Sequence, residues 1–103
     1  MRAQKRAKVG LSESYKIFET DIFIEDLEDL QPSIKNRMKA KLKTNIYSVL
    51  KQQPHHGKNI KKLINYNPET WRYRVGDFRI FYTINEKNKV ISMLTISDRK
   101  DAY

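Results

Sequence analysis

The last third of the chain alternates apolar and charged residues in a way that predicts β-strands. Three apolar residues are separated by two arginines in the order Trp71, Arg72, Tyr73, Arg74 and Val75. Successive side chains of a strand point to opposite faces, so one face of this strand is apolar and the other carries both arginines. Gly76 and Asp77 follow directly, and such a pair predicts a tight hairpin turn.

The same alternation continues after the turn and predicts two further strands. One face of the second strand is apolar and carries Phe78, Ile80, Tyr82 and Ile84. The other face carries Arg79, Phe81 and Thr83. A third strand is predicted at residues 89–96, after a polar turn. Consecutive strands joined by short turns predict an antiparallel meander, in which Arg72, Arg74 and Arg79 share one face.

The first half of the chain predicts a short strand and a short helix. Residues 14–20 alternate like a strand. Thr20 or Asp21 can cap a helix in which Phe23, Leu27 and Leu30 lie on one side. The residues between these apolar positions are mostly acidic. This outer face, Glu25–Asp29 in all, is interpreted either as a solvent face or as a balance to nearby lysines.

A second, longer helix is predicted to start at Pro32, because proline suits the first turn. Its apolar stripe consists of Ile34, Met38, Leu42, Ile46, Val49 and Leu50. Pro54 and Gly57 are expected to end it. Residues 55–67 are predicted to form a loop with a short turn that buries Ile60, Leu63 or Ile64.

This order of elements predicts an α+β fold: two N-terminal helices packed on one face of a small, mostly antiparallel sheet. The order is strand, helix, helix and then the three-stranded meander. The face without helices would carry the arginines. Residues 1–13 lack periodicity and are predicted to be a disordered basic N-terminal arm. Residues 14–103 are predicted to be a single domain.

Composition agrees with one globular domain. The chain has 103 residues, and its 39% hydrophobic and 32% charged content excludes the disordered and membrane classes. No cysteine is present, which excludes disulfides and thiolate metal sites. No apolar segment follows the basic N-terminus, so a secretory signal is not expected. We therefore expect a cytoplasmic protein without a membrane partner, metal or cofactor.

Positive charge is concentrated in the middle of the chain. The formal net charge is +9, and residues 32–66 contain no acidic residue. Soluble helices usually mix the two signs, so this block favours a polyanionic partner, nucleic acid first and an acidic protein second. A basic surface kept for solubility is the alternative. The lysines predicted to contact nucleic-acid phosphates are Lys35, Lys39, Lys43, Lys61 and Lys62.

The other polar and aromatic features are interpreted more simply. His55 and His56 are adjacent in a loop, and a polar turn is favoured over a metal ligand or a catalytic base. Trp71 and Tyr73 share a face with Val75, so they are expected in the core rather than as platforms for nucleic-acid bases.

The chain from about Tyr15 to Tyr103 resembles toxins of the RelE/ParE superfamily from type II toxin–antitoxin systems. The most specific segments are WRYRVGDFRIFY (residues 71–82) and SDRKDAY (residues 97–103). The resemblance implies a small antiparallel sheet with two helices on it. In the RelE branch it implies a metal-free endoribonuclease that cuts mRNA in the ribosomal A site and that a cognate antitoxin neutralises. The ParE branch keeps the fold and inhibits DNA gyrase, which is the alternative.

Carried over by position, the resemblance implies a catalytic set of Arg72, Arg74, Arg79, Arg99 and Tyr103. Many relatives have a histidine at the position of Asp98. The implied partners are the antitoxin, the ribosome and mRNA, and without its antitoxin the chain is expected to be a monomer.

The chemistry of RNA cleavage suits these residue types. RNA supplies its own nucleophile, the 2′-hydroxyl, so the enzyme must deprotonate it, stabilise the phosphorane and protonate the leaving 5′-oxygen. Arginine stays charged and binds phosphate but is a poor base. Tyr103 is the better proton acceptor if neighbouring cations lower its pKa from about 10, and Arg99 would serve the leaving group. A frayed terminal residue is the alternative for Tyr103.

Overall fold

The computed structural model describes residues 14–98, which form a five-stranded sheet and a pair of helical segments. The elements are β1 (Lys16–Glu19), α1 (Asp21–Glu28), α2 (Pro32–Lys41), a π-helical turn (Leu42–Ile46), α3 (Tyr47–Gln52), β2 (Ile60–Lys62), β3 (Trp71–Val75), β4 (Phe78–Asn85) and β5 (Val90–Asp98). The predicted arm at residues 1–13 lies outside the described residues, as do residues 99–103.

Helix α1 begins where its capping residue predicts. The Thr20 hydroxyl accepts a hydrogen bond from the backbone N–H of Phe23 at 3.1 Å, which satisfies one of the donors left open at a helix start. Phe23 and Leu27 are buried, and Leu30 packs against the core from just beyond the helix. The predicted short amphipathic helix is therefore confirmed.

The second helix starts at Pro32 as predicted and continues through the π-helical turn into α3. Its buried residues recur every four positions, namely Met38, Leu42, Ile46 and Leu50. In an α-helix of 3.6 residues per turn, each step of four residues rotates the side chain by about 40°. A π-helical turn is wider and corrects this drift. We interpret it as the feature that keeps Ile46 and Leu50 directed at the sheet.

The five strands lie in the order β1–β5–β4–β3–β2. β1 is parallel to β5, whereas every other neighbouring pair is antiparallel. Gly76 and Asp77 form the two-residue connection between β3 and β4, and Gly76 has a φ of 58°, which favours glycine. The mostly antiparallel sheet and the α+β class are confirmed.

Strand β2 is an addition to the predicted order, because residues 55–67 were expected to form a loop. Its three residues are too few to show an alternating pattern, and only Ile60 is apolar. The edge of β3 stabilises it: Ile60 lies opposite Tyr73 and Lys61 opposite Arg72. Ile60 packs against the core, whereas Ile64 is 76% exposed.

The hydrophobic core lies between the helices and one face of the sheet. The helical segments contribute Phe23, Leu27, Met38, Leu42, Ile46 and Leu50. The sheet contributes Trp71, Tyr73, Val75, Ile80, Tyr82, Ile91, Met93 and Ile96. The prediction that Trp71 and Tyr73 belong to the core is confirmed. Among the helices described, none combines the length and apolar character that a membrane span needs.

Candidate functional site

The register of β3 and β4 brings three arginines together on the sheet face that points away from the core. Arg74 lies directly opposite Arg79, and Arg72 is two residues from Arg74 on the same strand. The residues between them, Tyr73 and Ile80, are buried on the other side. We call the surface formed by Arg72, Arg74 and Arg79 the arginine face.

The three arginines differ in how far they reach into solvent. Arg74 is exposed, whereas Arg72 and Arg79 are half-buried with their Nε atoms withdrawn from solvent. A guanidinium that is partly held by the protein keeps its planar fork in a fixed direction, and this suits bidentate binding of a phosphate. The arginine face can therefore both attract an anion and orient it.

The neighbours of the arginines extend the face across four strands. Arg72 has a neighbour on each adjacent strand: Lys61 lies opposite it on β2, and Phe81 lies opposite it on β4. Ser97 on β5 lies opposite Arg79. Strands β2, β3 and β4 contain no acidic residue. Of the predicted nucleic-acid-binding lysines, Lys61 is the one that the register adds to the arginine face.

Helix α1 holds the end of β5 in place beside this face. β1 pairs only with the first half of β5, up to Met93. Beyond that point, a carboxylate oxygen of Asp26 accepts hydrogen bonds from the backbone N–H of Ile96 at 2.9 Å and from the hydroxyl of Thr95. Asp26 thus replaces a strand partner at the open edge, and it fixes the segment that carries Ser97.

Two members of the predicted catalytic set, Arg99 and Tyr103, lie outside the described residues. The described part of β5 ends at Asp98, which lies opposite Phe78, and the preceding residue lies opposite Arg79. Arg72, Arg74 and Arg79 are therefore brought together, while the contribution of Arg99 and Tyr103 stays a prediction.

The five tyrosines within residues 14–98 are engaged elsewhere or exposed in a loop. The Tyr82 hydroxyl donates to the carbonyl of Pro54 at 2.7 Å, and burial raises its pKa above the ordinary value. Tyr47 donates to Glu19, and burial, followed by that hydrogen bond, raises its pKa as well. Tyr73 is buried on the core side, and Tyr66 is 59% exposed between β2 and β3. The fifth, Tyr15, donates to Glu86 at 2.7 Å.

The predicted lysines on the second helix find acidic partners outside their own block of sequence. The Nζ atoms of Lys35 and Lys39 lie 3.1 and 3.0 Å from the two carboxylate oxygens of Glu28 on α1. Hydrogen bonds from Lys39 and Lys35 hold the pKa of Glu28 below its ordinary value. The acidic helix therefore balances the lysines, one of the two interpretations of the sequence. Lys43 is exposed on the π-helical turn.

Lys62 likewise has an acidic neighbour. Its Nζ atom lies 2.6 Å from a carboxylate oxygen of Glu69, and this contact is the largest cause that lowers the pKa of Glu69. Lys62 also lies opposite Trp71, one position away from the Lys61–Arg72 pair. Because successive residues of a strand face opposite sides, Lys62 does not share the side of Lys61.

A second polar cluster, which the sequence did not predict, joins three distant parts of the chain. His55 Nε2 lies 2.6 Å from one carboxylate oxygen of Glu86, and the other oxygen accepts the Tyr15 hydrogen bond. The His55 ring meets Trp71 edge-on at 5.3 Å. The Tyr15 hydrogen bond, with His55 second, holds the pKa of Glu86 below its ordinary value. Within residues 14–98, no three His, Cys, Asp or Glu residues are grouped to hold a metal ion.

Several solved structures with this α+β fold are toxin–antitoxin complexes. The archaeal RelE–RelB complex from Pyrococcus horikoshii matches at 24% identity and a TM-score of 0.64, over 84% of this chain and 96% of that chain. The RelB–RelE complex from Methanococcus jannaschii matches at 25% identity and a TM-score of 0.59, over 84% and 94%. The RelBE2 complex from Mycobacterium tuberculosis matches at 22% identity and a TM-score of 0.63, over 84% and 99%. The molecule therefore has the RelE/ParE toxin fold.

The family follows from the sequence comparison. Residues 17–103 match the protein family described as the ParE toxin of the parDE type II toxin–antitoxin system. The match covers most of the chain, so the protein belongs to this family and is a toxin of a type II toxin–antitoxin system. A comparison with curated protein sequences finds no match.

Proposed function

We propose that this toxin is an endoribonuclease that cleaves mRNA in the ribosomal A site and so inhibits translation. The observation that carries the proposal is the convergence of Arg72, Arg74 and Arg79 on the sheet face opposite the hydrophobic core. The directly opposed Arg74 and Arg79 concentrate positive charge at one place on the sheet, and this arrangement favours a function that uses the charge. The resemblance of the chain to RelE structures supports the same conclusion.

In the proposed mechanism the arginine face holds the scissile phosphate. Arg74 and Arg79 contact its non-bridging oxygens, and Arg72 binds from the neighbouring position on β3. As the 2′-hydroxyl attacks, negative charge grows on those oxygens, and fixed guanidinium groups stabilise it more in the transition state than in the ground state. Removing one donor of this kind typically lowers the rate by about 100-fold or more.

Proton transfer is assigned to the two C-terminal members of the set. Tyr103 accepts the proton of the 2′-hydroxyl, and Arg99 donates to the leaving 5′-oxygen. A phenol among several guanidinium groups has a lowered pKa, because nearby positive charge favours the phenolate. Geometry supports the choice of Tyr103, because the five tyrosines in residues 14–98 are hydrogen-bonded elsewhere, buried on the core side or exposed in a loop.

The partners in this proposal are the ribosome, mRNA and a cognate antitoxin. A ribosome would fix both the RNA strand and the C-terminal residues, and such positioning accounts for much of the rate of an enzyme. The three structural neighbours named above are complexes with antitoxins, which supports an antitoxin here too. An acidic segment would complement the basic surface of this chain. In its absence the toxin is proposed to be a monomer in the cytoplasm.

The test is to add the full chain to a translating extract and to map mRNA 5′ ends by primer extension. Cuts are expected only when ribosomes translate, and Tyr103→Phe and Arg79→Ala should abolish them. Arg37→Gln is the charge-matched control, because Arg37 is exposed on α2, one of the helical segments that pack on the other side of the sheet. Intact mRNA under these conditions would overturn the proposal.

The second candidate is a ParE-like toxin that inhibits DNA gyrase without enzymatic activity, and the family match favours it. In that case the arginine face would be a docking surface, and a phenol placed among cations would have no role. An assay in the same extract distinguishes the two candidate functions. Intact mRNA together with cleaved DNA–gyrase complexes would establish gyrase as the target.

A further inference from the structure

Phe81 is an aromatic residue in the middle of the arginine face. Its neighbours along β4, Ile80 and Tyr82, are completely buried in the core, so Phe81 points to the other side of the sheet, where it stays partly exposed. Antiparallel sheets that are covered on one side usually carry polar residues on the open side. A large apolar ring at this position is therefore a feature that folding alone does not require.

The position of Phe81 relative to the arginines is set by the register. It lies directly opposite Arg72 on β3 and two residues from Arg79 on its own strand. Opposite residues are about 5 Å apart, and alternate residues of one strand about 7 Å apart. The distance from the Phe81 ring to the arginines that are proposed to hold the phosphate is therefore no longer than one nucleotide of an RNA strand.

The other aromatic residues of β3 and β4 are buried in the core or pack against it. Trp71, Tyr73 and Tyr82 are buried there, and Phe78 packs against it from the side. Within these two strands Phe81 is the one aromatic that shares a side with the arginines. Within β3 and β4, Phe81 is therefore the aromatic residue on which a base held beside the arginine face could stack.

We propose that Phe81 is a stacking platform for a base of single-stranded RNA whose adjacent phosphate lies among Arg72, Arg74 and Arg79. The proposal rests on the function proposed above and specifies its substrate. Every base has a flat face that can stack on an aromatic ring, so Phe81 adds affinity without selecting a sequence. The bases of a duplex are already stacked and paired, so the platform selects single strands. Losing the ring should lower affinity by about tenfold.

The experiment measures binding of the full chain to a short single-stranded RNA that cannot be cleaved. Its 2′-hydroxyls are methylated, and one base is 2-aminopurine, whose fluorescence is quenched when it stacks. The wild type is expected to quench the probe, Phe81→Leu to bind about tenfold more weakly without quenching, and Phe81→Tyr to restore both. Phe18→Leu is the matched control, because Phe18 is a 58% exposed aromatic at the β1 edge of the sheet.

Urea unfolding of Phe81→Leu checks that the variant is folded, and the quenching of 2-aminopurine is a readout that a merely structural role of Phe81 would not move. The platform is overturned if the wild type fails to bind or quench the probe, or if Phe81→Leu matches the wild type in both. Failure of the proposed function is a separate result: the wild type would quench the probe yet leave mRNA intact in the translating extract.

Discussion

Arg74 and Arg79 face each other across the β3–β4 hairpin as a directly opposed cross-strand pair of like charge. Opposite-charge pairs at such positions stabilise a sheet, and like charges destabilise it. The tight turn at Gly76 and Asp77 imposes this pairing, since it places Val75 opposite Phe78 and fixes every pair beyond. A like-charge pair is thus found at the residues proposed to bind phosphate, as expected where function limits stability.

This conflict leads to a prediction for Arg74→Gln. Removing one charge of the pair should raise the free energy of unfolding by about 0.2–1 kcal/mol, while mRNA cleavage should fall by about 100-fold. Urea unfolding and primer extension in a translating extract measure the two effects. Arg37→Gln, on α2, should change neither substantially. A variant of Arg74 that is less stable than the wild type would contradict the interpretation of the pair.

The lysines of the basic block should not contribute equally to RNA binding. Lys61 lies beside Arg72, whereas Lys35 donates to Glu28 on the helical side of the molecule. For single strands, each lost phosphate contact reduces the slope of log affinity against log salt concentration by about 0.7. Lys61→Gln should show that reduction on a single-stranded RNA, and Lys35→Gln should show much less. Equal reductions would mean that the binding surface includes the second helix.

A third prediction concerns the buried hydroxyl of Tyr82. It donates to the Pro54 carbonyl at 2.7 Å and so ties β4 to the chain that leaves α3. Tyr82→Phe leaves this buried carbonyl without that donor, which should cost about 1–3 kcal/mol of unfolding free energy. Cleavage by the folded variant should be unchanged, because the hydroxyl lies on the core side. Tyr66→Phe is the control, since Tyr66 is 59% exposed. A loss of cleavage without a loss of stability would assign Tyr82 a catalytic role.

Much of this fold could be predicted because its long helices and strands have a clear local periodicity of apolar residues. The alternation around Arg72 and Arg79 is enough to predict two strands and their common face, and the stripe from Met38 to Leu50 predicts a helix. Strand β2 was missed because three residues cannot establish a period of two, and the edge of β3 rather than local preference stabilises it.

The contacts that could not be predicted join residues far apart in the sequence. Glu28 pairs with Lys39 between two helices, and His55 with Glu86 across 31 positions. Such pairs depend on how helices and turns are placed in three dimensions, so no local pattern contains them. For the same reason the sequence pattern shows no acidic partner for the lysine block, whereas in the folded protein Glu28 on α1 contacts Lys35 and Lys39.

The cluster of Tyr15, His55 and Glu86 gives the last prediction, a pH dependence of stability. The Tyr15 hydrogen bond first, and His55 second, lower the pKa of Glu86 in the folded protein from its ordinary value of 4.5. A carboxyl group whose pKa is lower in the folded state stabilises the fold at pH values above its unfolded pKa. That contribution is lost as the pH falls through the folded value.

Glu86→Gln should therefore be less stable than the wild type above about pH 4.5, and the difference should shrink as the pH falls further. Urea unfolding at a series of pH values measures it. Glu25→Gln is the matched control, because Glu25 is exposed on α1, and its difference from the wild type should not change in this way. A constant difference between Glu86→Gln and the wild type would show that the contacts of Glu86 in this cluster do not depend on its charge.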